Sequence, residues 1–238
     1  MNSQIMDSSA YALHIANKNY SSWSLRPWVL MRQLGIPFTE VMHPFGEGSN
    51  LLEFRKFAPN GKVPCLQNGS QTIWDSLAIV EYLAENHAGV WASDAVARAW
   101  SRCAAAEMHS GFGNLRNQCP MSCGVRVKMN APLSKDLLAD IARLVELWDD
   151  GLSRFGGPFL AGKSFTAVDA FFAPVVWRIN TYGLPVSLGA AKYVKLMIAQ
   201  LAMQDWYKAA LVEGMSDTAH DDDVCRHGVL AEDLRVKA

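Results

Sequence analysis

Strand-like and helix-like segments alternate in this chain up to about residue 86, and from Asp94 onward only helix-like segments remain. That switch restricts the fold strongly. An alternating stretch must build a sheet covered by helices, and a stretch without strands must pack helix on helix. Tyr11-Ala-Leu-His-Ile15 reads as a strand, and Trp28 to Met31 with Leu34 as an apolar helix face. Gly35-Ile36-Pro37 stops that helix, because Gly suits a C-cap and Pro cannot continue. Phe38 to Met42 alternates as a second strand, His43 to Ser49 reads as a Gly-rich exposed loop, and Leu51 to Phe57 as a short helix. Lys62-Val63-Pro64-Cys65-Leu66 reads as a strand interrupted by proline, which demands an edge, a bend or a cis bond. Asn68-Gly69 is a hairpin signal with Thr72-Ile73-Trp74 returning. Leu77 to Leu83 is a helix, apolar at 77, 79, 80 and 83.

The first unit is therefore β-α-β-α-β-β-α over residues 10–87. Helices are expected over Ala95–Gly111, Lys135–Leu152, Ala167–Thr181 and Ala191–Lys208, separated by Pro120, Pro132, Gly156-Gly157-Pro158 and Gly183-Leu184-Pro185. They form an all-α unit over residues 94–215 in which no strand is expected. Residues 216–238, with Asp221-Asp222-Asp223, read as a disordered tail or a short helix, and residues 1–9 as polar and loose.

Asn19-Tyr20-Ser21-Ser22-Trp23-Ser24-Leu25-Arg26-Pro27-Trp28 lies where the first strand turns into the first helix. The first N–H groups of a helix lack intrahelical partners and sit at the positive end of its dipole, so an anion placed there is stabilised. Pro27 suits a first helical turn. The plainer reading is that Ser22 or Ser24 caps the helix.

With 238 residues, 50% of them hydrophobic, the chain can bury a large core. A net charge of −1 provides no general attraction to nucleic acid or acidic membranes. The five cysteines (65, 103, 119, 123 and 225) are irregularly spaced and suit free thiols in a reducing compartment. No second ligand pair accompanies Cys119 and Cys123, so no metal is expected. No signal peptide or bilayer-length apolar run is read, and a cytoplasmic protein is expected.

Asn60-Gly-Lys-Val-Pro-Cys-Leu66, the hairpin, and Asp75-Ser-Leu-Ala-Ile-Val-Glu-Tyr-Leu83 together resemble the glutathione-site signature of glutathione S-transferases. Ser21-Ser22-Trp23-Ser24-Leu25-Arg26 is similar to the Ser-Ser-x-Ser-x-Arg motif of the zeta class, which includes maleylacetoacetate isomerases. Thr166-Ala-Val-Asp169 resembles the family's helical capping box. The resemblance spans roughly residues 11 to 210. It implies a thioredoxin-like α/β domain followed by an all-α domain, and a cytosolic enzyme of detoxification. The enzyme would be a homodimer using glutathione as co-substrate, with no metal, nucleic acid or membrane partner.

What the resemblance implies for chemistry is a serine hydroxyl that lowers the pKa of the glutathione thiol for attack on small electrophiles. The family's catalytic residue lies fourteen positions before the Gly closing the first helix, which places it at Ser21. Ser22 is one register away, and Tyr20 stands third, as other classes use a tyrosine. Val63 would pair its backbone with the cysteinyl moiety, and Pro64 would be cis. Ser76 would bind the γ-glutamyl carboxylate, or simply cap the next helix. Asp75 would pair with the γ-glutamyl amine and Lys62 with the glycyl carboxylate. Arg26 is read as structural and His14 as a plain strand residue.

For the acceptor pocket, His109, Phe112 and Arg116 are spaced three to four apart, as on one helical face, and Trp23 stands at the mouth. Arg116 would attract an anionic acceptor, or else be a surface residue beside helix packing. Trp177 and Arg178 either face the cleft or belong to the core. Two departures separate the chain from the isomerases: Trp23 replaces a Cys, and Trp28 replaces a recurring Arg. Transferase, cis–trans isomerase and non-catalytic binding module all stand as readings. No Cys lies between residues 11 and 35, which disfavours thiol exchange.

Overall fold

The computed structural model describes residues 11–236. Residues 1–9, expected to be loose, lie outside the described residues. In chain order the first unit contains β1 (Tyr11–Ile15), α1 (Ser22–Leu34), β2 (Thr39–Met42), α2 (Leu51–Phe54), β3 (Cys65–Asn68), β4 (Gln71–Trp74) and α3 (Ser76–Asn86). The four strands form one sheet in the order β2-β1-β3-β4. β1 runs parallel to β2 and antiparallel to β3, and β3–β4 is the hairpin closed by Gly69 at φ +58°. Gly35 ends α1 in the left-handed region at φ 67°, as its sequence position predicts.

β3 begins at Cys65, so Pro64 stands just before the strand rather than interrupting it. That placement is forced, because β3 is paired on both sides and a proline within it would remove a ladder bond. Pro27 also differs from expectation. It lies in the second turn of α1, where the Trp23 carbonyl is left without an i+4 N–H.

The second unit contains α4 (Ala95–Ser110), α5 (Gly113–Gln118), β5 (Val125–Met129), α6 (Lys135–Arg154), α7 (Ala167–Tyr182), α8 (Leu188–Ile198) and α9 (Leu201–Leu211). It ends in α10 (Thr218–Cys225) and β6 (Gly228–Asp233). The helix expected over Ala191–Lys208 is thus two helices, broken at Ala199-Gln200. The expectation of no strand after Asp94 is corrected by β5 and β6, which pair antiparallel. Val125 and Val127 face the core while Arg126 and Lys128 are less buried, so the alternation Val-Arg-Val-Lys-Met was a readable strand signal. The C-terminal stretch is accordingly a helix and a strand docked on the second unit.

α7 forms the centre of the molecule, with nearly every residue buried. It packs against α1 on one side and α4 on another, which locks the two units together. Asp169 in its first turn accepts from the amides of Leu160 (3.0 Å) and Thr166 (2.9 Å) and from the Tyr193 hydroxyl (2.9 Å). The expected return bond of the capping box is therefore present, within a wider buried network.

Candidate active site

The turn from β1 into α1 is pinned from several directions. Asn19 donates through Nδ2 to the Ala210 carbonyl (2.6 Å), and its Oδ1 accepts from Gly124 N–H (3.0 Å). The Lys18 carbonyl accepts from Trp206 Nε1 (2.9 Å), and the Lys18 ammonium pairs with Glu40. This backbone is held by α9, the segment before β5, and β2 at once. The serine that follows is placed by the tertiary structure.

Ser21 is the N-cap of α1, yet its side chain makes no capping bond. Its Oγ donates instead to Ser24 Oγ (2.7 Å), which also accepts from Ala16 N–H (3.3 Å). Ser22 and Ser24 lie inside the helix, so the reading of either as the cap is not realised. The Tyr20 hydroxyl donates to Asp221 Oδ1 (2.9 Å) and accepts from Arg235 Nη1 (2.9 Å). Burial, with the Asp221 carboxylate beside it, pushes its pKa up to about 12.

Ser21, Ser22, Trp23, Lys62 and Val63 line one cleft of about 650 Å³. The Val63–Pro64 peptide is cis, and Pro64 is buried. The N–H and C=O of Val63 have no hydrogen bond among the described residues. Asp75, not Ser76, is the N-cap of α3: at φ 75° it accepts from Leu77 N–H (2.8 Å). Ser76 opens that helix, buried, and its hydroxyl accepts from Arg26 Nη1 (3.3 Å). Arg26 is 1% exposed, lies 4.1 Å from the Trp23 ring centre and 4.8 Å from that of Phe171, and its Nε is unpaired. Burial, then the like charges of Arg116 and Arg178, hold its pKa well below the usual guanidinium value.

The acceptor candidates separate. His109, Phe112 and Arg116 do not share a helix, because α4 ends at Ser110 and Phe112 sits in the left-handed region at φ 57° before α5. The spacing was right for one helix, but Gly111 and Gly113 mark the junction between two. Phe112 is buried in the core and does not line the cleft. His109 stands behind the wall, its Nε2 3.5 Å from Asp75 Oδ2 and its ring edge-on to Trp23 at 5.2 Å. Burial lowers its pKa, Asp75 opposing and Arg26 and Arg116 assisting. Arg116 lines the cleft. It donates to the carbonyls of Gly111 (2.9 Å), His109 (3.3 Å) and Met108, satisfying the open end of α4, and lies 4.9 Å from the Trp23 ring centre.

Arg178 also lines the cleft, although only 4% exposed, and donates through Nε to the Cys119 carbonyl (2.8 Å). Trp177 belongs to the core, stacked on Tyr207 at 4.9 Å. The sequence offered no sign of Phe45, His220 and Asp223, which complete the wall. His220 stacks between Phe45 (4.8 Å) and Tyr20 (5.0 Å), and its Nδ1 is 2.9 Å from Asp217. No cysteine lines this cleft, and burial pushes the thiols of Cys65 and Cys119 up to about 11 and about 12. Among the described residues no group of His, Cys, Asp or Glu is placed to hold a metal ion, and no helix is long and apolar enough to cross a membrane.

The glutathione S-transferase N-terminal domain matches residues 20–86 and the C-terminal domain residues 94–209. The chain belongs to the glutathione S-transferase family. Both parts of the site fall within these matches, while His220 and Asp223 lie beyond them. Among relatives, the glutathione S-transferase-like protein OpS6 of Beauveria bassiana is 27% identical over 161 residues, 62% of this chain and 72% of that one. A probable maleylacetoacetate isomerase of Caenorhabditis elegans is 24% identical over 170 residues, 70% of this chain and 77% of the other. In fold, the theta class glutathione S-transferase of Xanthomonas axonopodis pv. citri, solved with glutathione bound, superposes with a TM-score of 0.63 at 21% identity, covering 84% of this chain and 97% of that one. The expected architecture, a thioredoxin-like domain followed by a helical domain, is the one observed.

Proposed function

We propose that this family member is a glutathione transferase in which Ser21 activates the thiol. The observation that carries the reading is that Ser21, at the start of α1, shares one cleft with Val63, whose N–H and C=O are unused by the fold. Residues 10–87 bind glutathione, and residues 94–215, with His220 and Asp223 beyond them, supply the acceptor wall. Val63 pairs with the cysteinyl moiety as an added strand pairs with an edge. Ser76 and the first amides of α3 take the γ-glutamyl carboxylate, with Arg26 behind the serine adding positive charge. Asp75 takes the γ-glutamyl amine and Lys62 the glycyl carboxylate.

Ala16 N–H donates to Ser24 Oγ, leaving the Ser24 proton free to turn toward Ser21. With glutathione bound, the Ser21 proton turns from Ser24 to the sulfur and Ser24 donates in its place. This hydroxyl relay and the helix dipole both favour the thiolate. The thiol loses its proton to solvent, the sulfur forms a bond to the electrophilic carbon, and in an aryl halide the halide leaves. Ser22, half-buried on the same wall, is the alternative donor. The chain functions as a cytoplasmic homodimer.

A glutathione titration, then turnover with an aryl halide and with a maleyl compound, tests this. Saturable binding and aryl transfer are expected. Isomerisation of the maleyl compound without aryl transfer would install the isomerase reading. Binding without turnover would install the non-catalytic one, and no binding would remove all three.

A further inference from the structure

We propose that the acceptor substrate of this cleft carries a carboxylate, which docks against the guanidinium groups of Arg116 and Arg178. The inference rests on the glutathione reading above and adds the chemical class of the second substrate. Three arginines, 26, 116 and 178, are gathered here: the charges of Arg116 and Arg178 lower the pKa of Arg26, and that of Arg116 lowers the pKa of Arg178. None of the three forms an ion pair among the described residues. Asp75, the carboxylate coupled to Arg26, is turned to His109 and the Leu77 amide. Asp223 is the acidic residue on the cleft wall, and it pairs with Arg226.

The hydrogen bonds of the fold account for only part of this charge. Arg116 uses Nε and Nη2 to close the end of α4, which explains its position and leaves Nη1 unpaired. Arg178 uses Nε alone. Its two terminal nitrogens have no partner among the described residues. Neither is sealed from solvent, although the residue is 4% exposed and lines the cleft. A buried guanidinium with both terminal nitrogens open to a cavity is a bidentate receptor for a planar anion. Burial and the charge of Arg116 hold the Arg178 pKa down to about 10, a repulsion that a bound anion would relieve. Trp23, Pro120 and Met121 provide flat apolar wall beside the pair. The acceptor that fits is a flat electrophile with an acidic substituent.

The test compares two product mimics, S-(4-carboxybenzyl)glutathione and S-benzylglutathione, by calorimetric titration of the full chain at pH 7. The carboxylate form is expected to bind about tenfold tighter or more. That margin should shrink as salt rises from about 50 to about 500 mM, since added ions screen the pair. In Arg178→Lys, which keeps the charge but loses the fork, the margin should fall severalfold while the affinity for glutathione itself stays unchanged. Arg116→Lys provides a second reading if the first variant folds poorly. Equal affinity for the two mimics, or for the 3-carboxybenzyl isomer and S-benzylglutathione as well, with glutathione still bound, overturns this inference alone. If glutathione itself does not bind, the functional reading falls and takes the inference with it.

Discussion

A hydroxyl can lower a thiol pKa only if its own proton is free to point at the sulfur. Ser21 does not cap α1 and donates to Ser24 Oγ; it meets that condition when its proton turns to the bound sulfur and Ser24, supplied by the Ala16 amide, donates in return. Tyr20 does not, since Asp221 accepts its proton. Ser21→Ala should lower kcat by about a hundredfold, in the range for removing one preorganised donor. The bound thiol, followed by thiolate absorbance against pH, should ionise at higher pH. Ser22→Ala should change both by much less, and the reverse order would move the role to Ser22. Asp169 dominates at the same scale in a structural role. Asp169→Ala strands two buried amides and the Tyr193 hydroxyl, at about 1–3 kcal/mol for each unsatisfied group. Thr166→Ala should cost only about 0.5–2 kcal/mol. Thermal melts should rank the two in that order, with glutathione affinity nearly unchanged in Thr166→Ala.

At the scale of elements, the sheet carries a pH sensitivity of its own. His14 on β1 and His43 after β2 share a hydrogen bond between Nδ1 and Nε2 at 2.8 Å, and each stacks on Phe57. Burial lowers both pKa values, and for His43 the neighbouring His14 adds to the effect. A histidine with a depressed folded pKa binds protons more weakly than in the unfolded chain. Its stability contribution is present above about pH 6.5 and is lost as pH falls toward the folded value. The denaturant midpoint should therefore fall between pH 7.5 and 5.5, with a shallower fall in the double variant His14→Asn, His43→Asn. An unchanged slope in that variant would remove the pair as the cause. Strand signals in β1, β2 and β4 were legible because each strand is bounded by turn chemistry. β5 was passed over although it alternates, because its partner lies about a hundred residues away and no turn joins them.

Across the whole molecule, the C-terminal segment is part of the site. α10 supplies His220 and Asp223, β6 pairs with β5, and Arg235 bridges Tyr20 and Asp221. A chain ending at residue 215 should melt lower, since Val125 and Val127 lose their covering strand, and its cleft should lose one wall. Measured with glutathione and an aryl halide, it should show a raised KM for the acceptor with a smaller change for glutathione. Equal KM values in the truncated and full chains would separate the segment from the site.

The order of elements, the hairpin and the end of α1 were written in the sequence, because local backbone chemistry decides each of them. Gly35, Asn68-Gly69 and the strand-to-helix turn act over a few residues and carry their meaning wherever they fold. Ser21, Ser22, Lys62 and Val63 could be gathered from the sequence because they stand in ordered motifs. The direction of a side chain was not legible. Phe112 enters the core and Arg116 closes a helix because α4 stops at Ser110. Arg178 reaches the cleft because α7 crosses both units. Which charges stay unpaired, and which strand covers β5, depends on contacts between segments far apart in the chain. Only the tertiary structure could decide those.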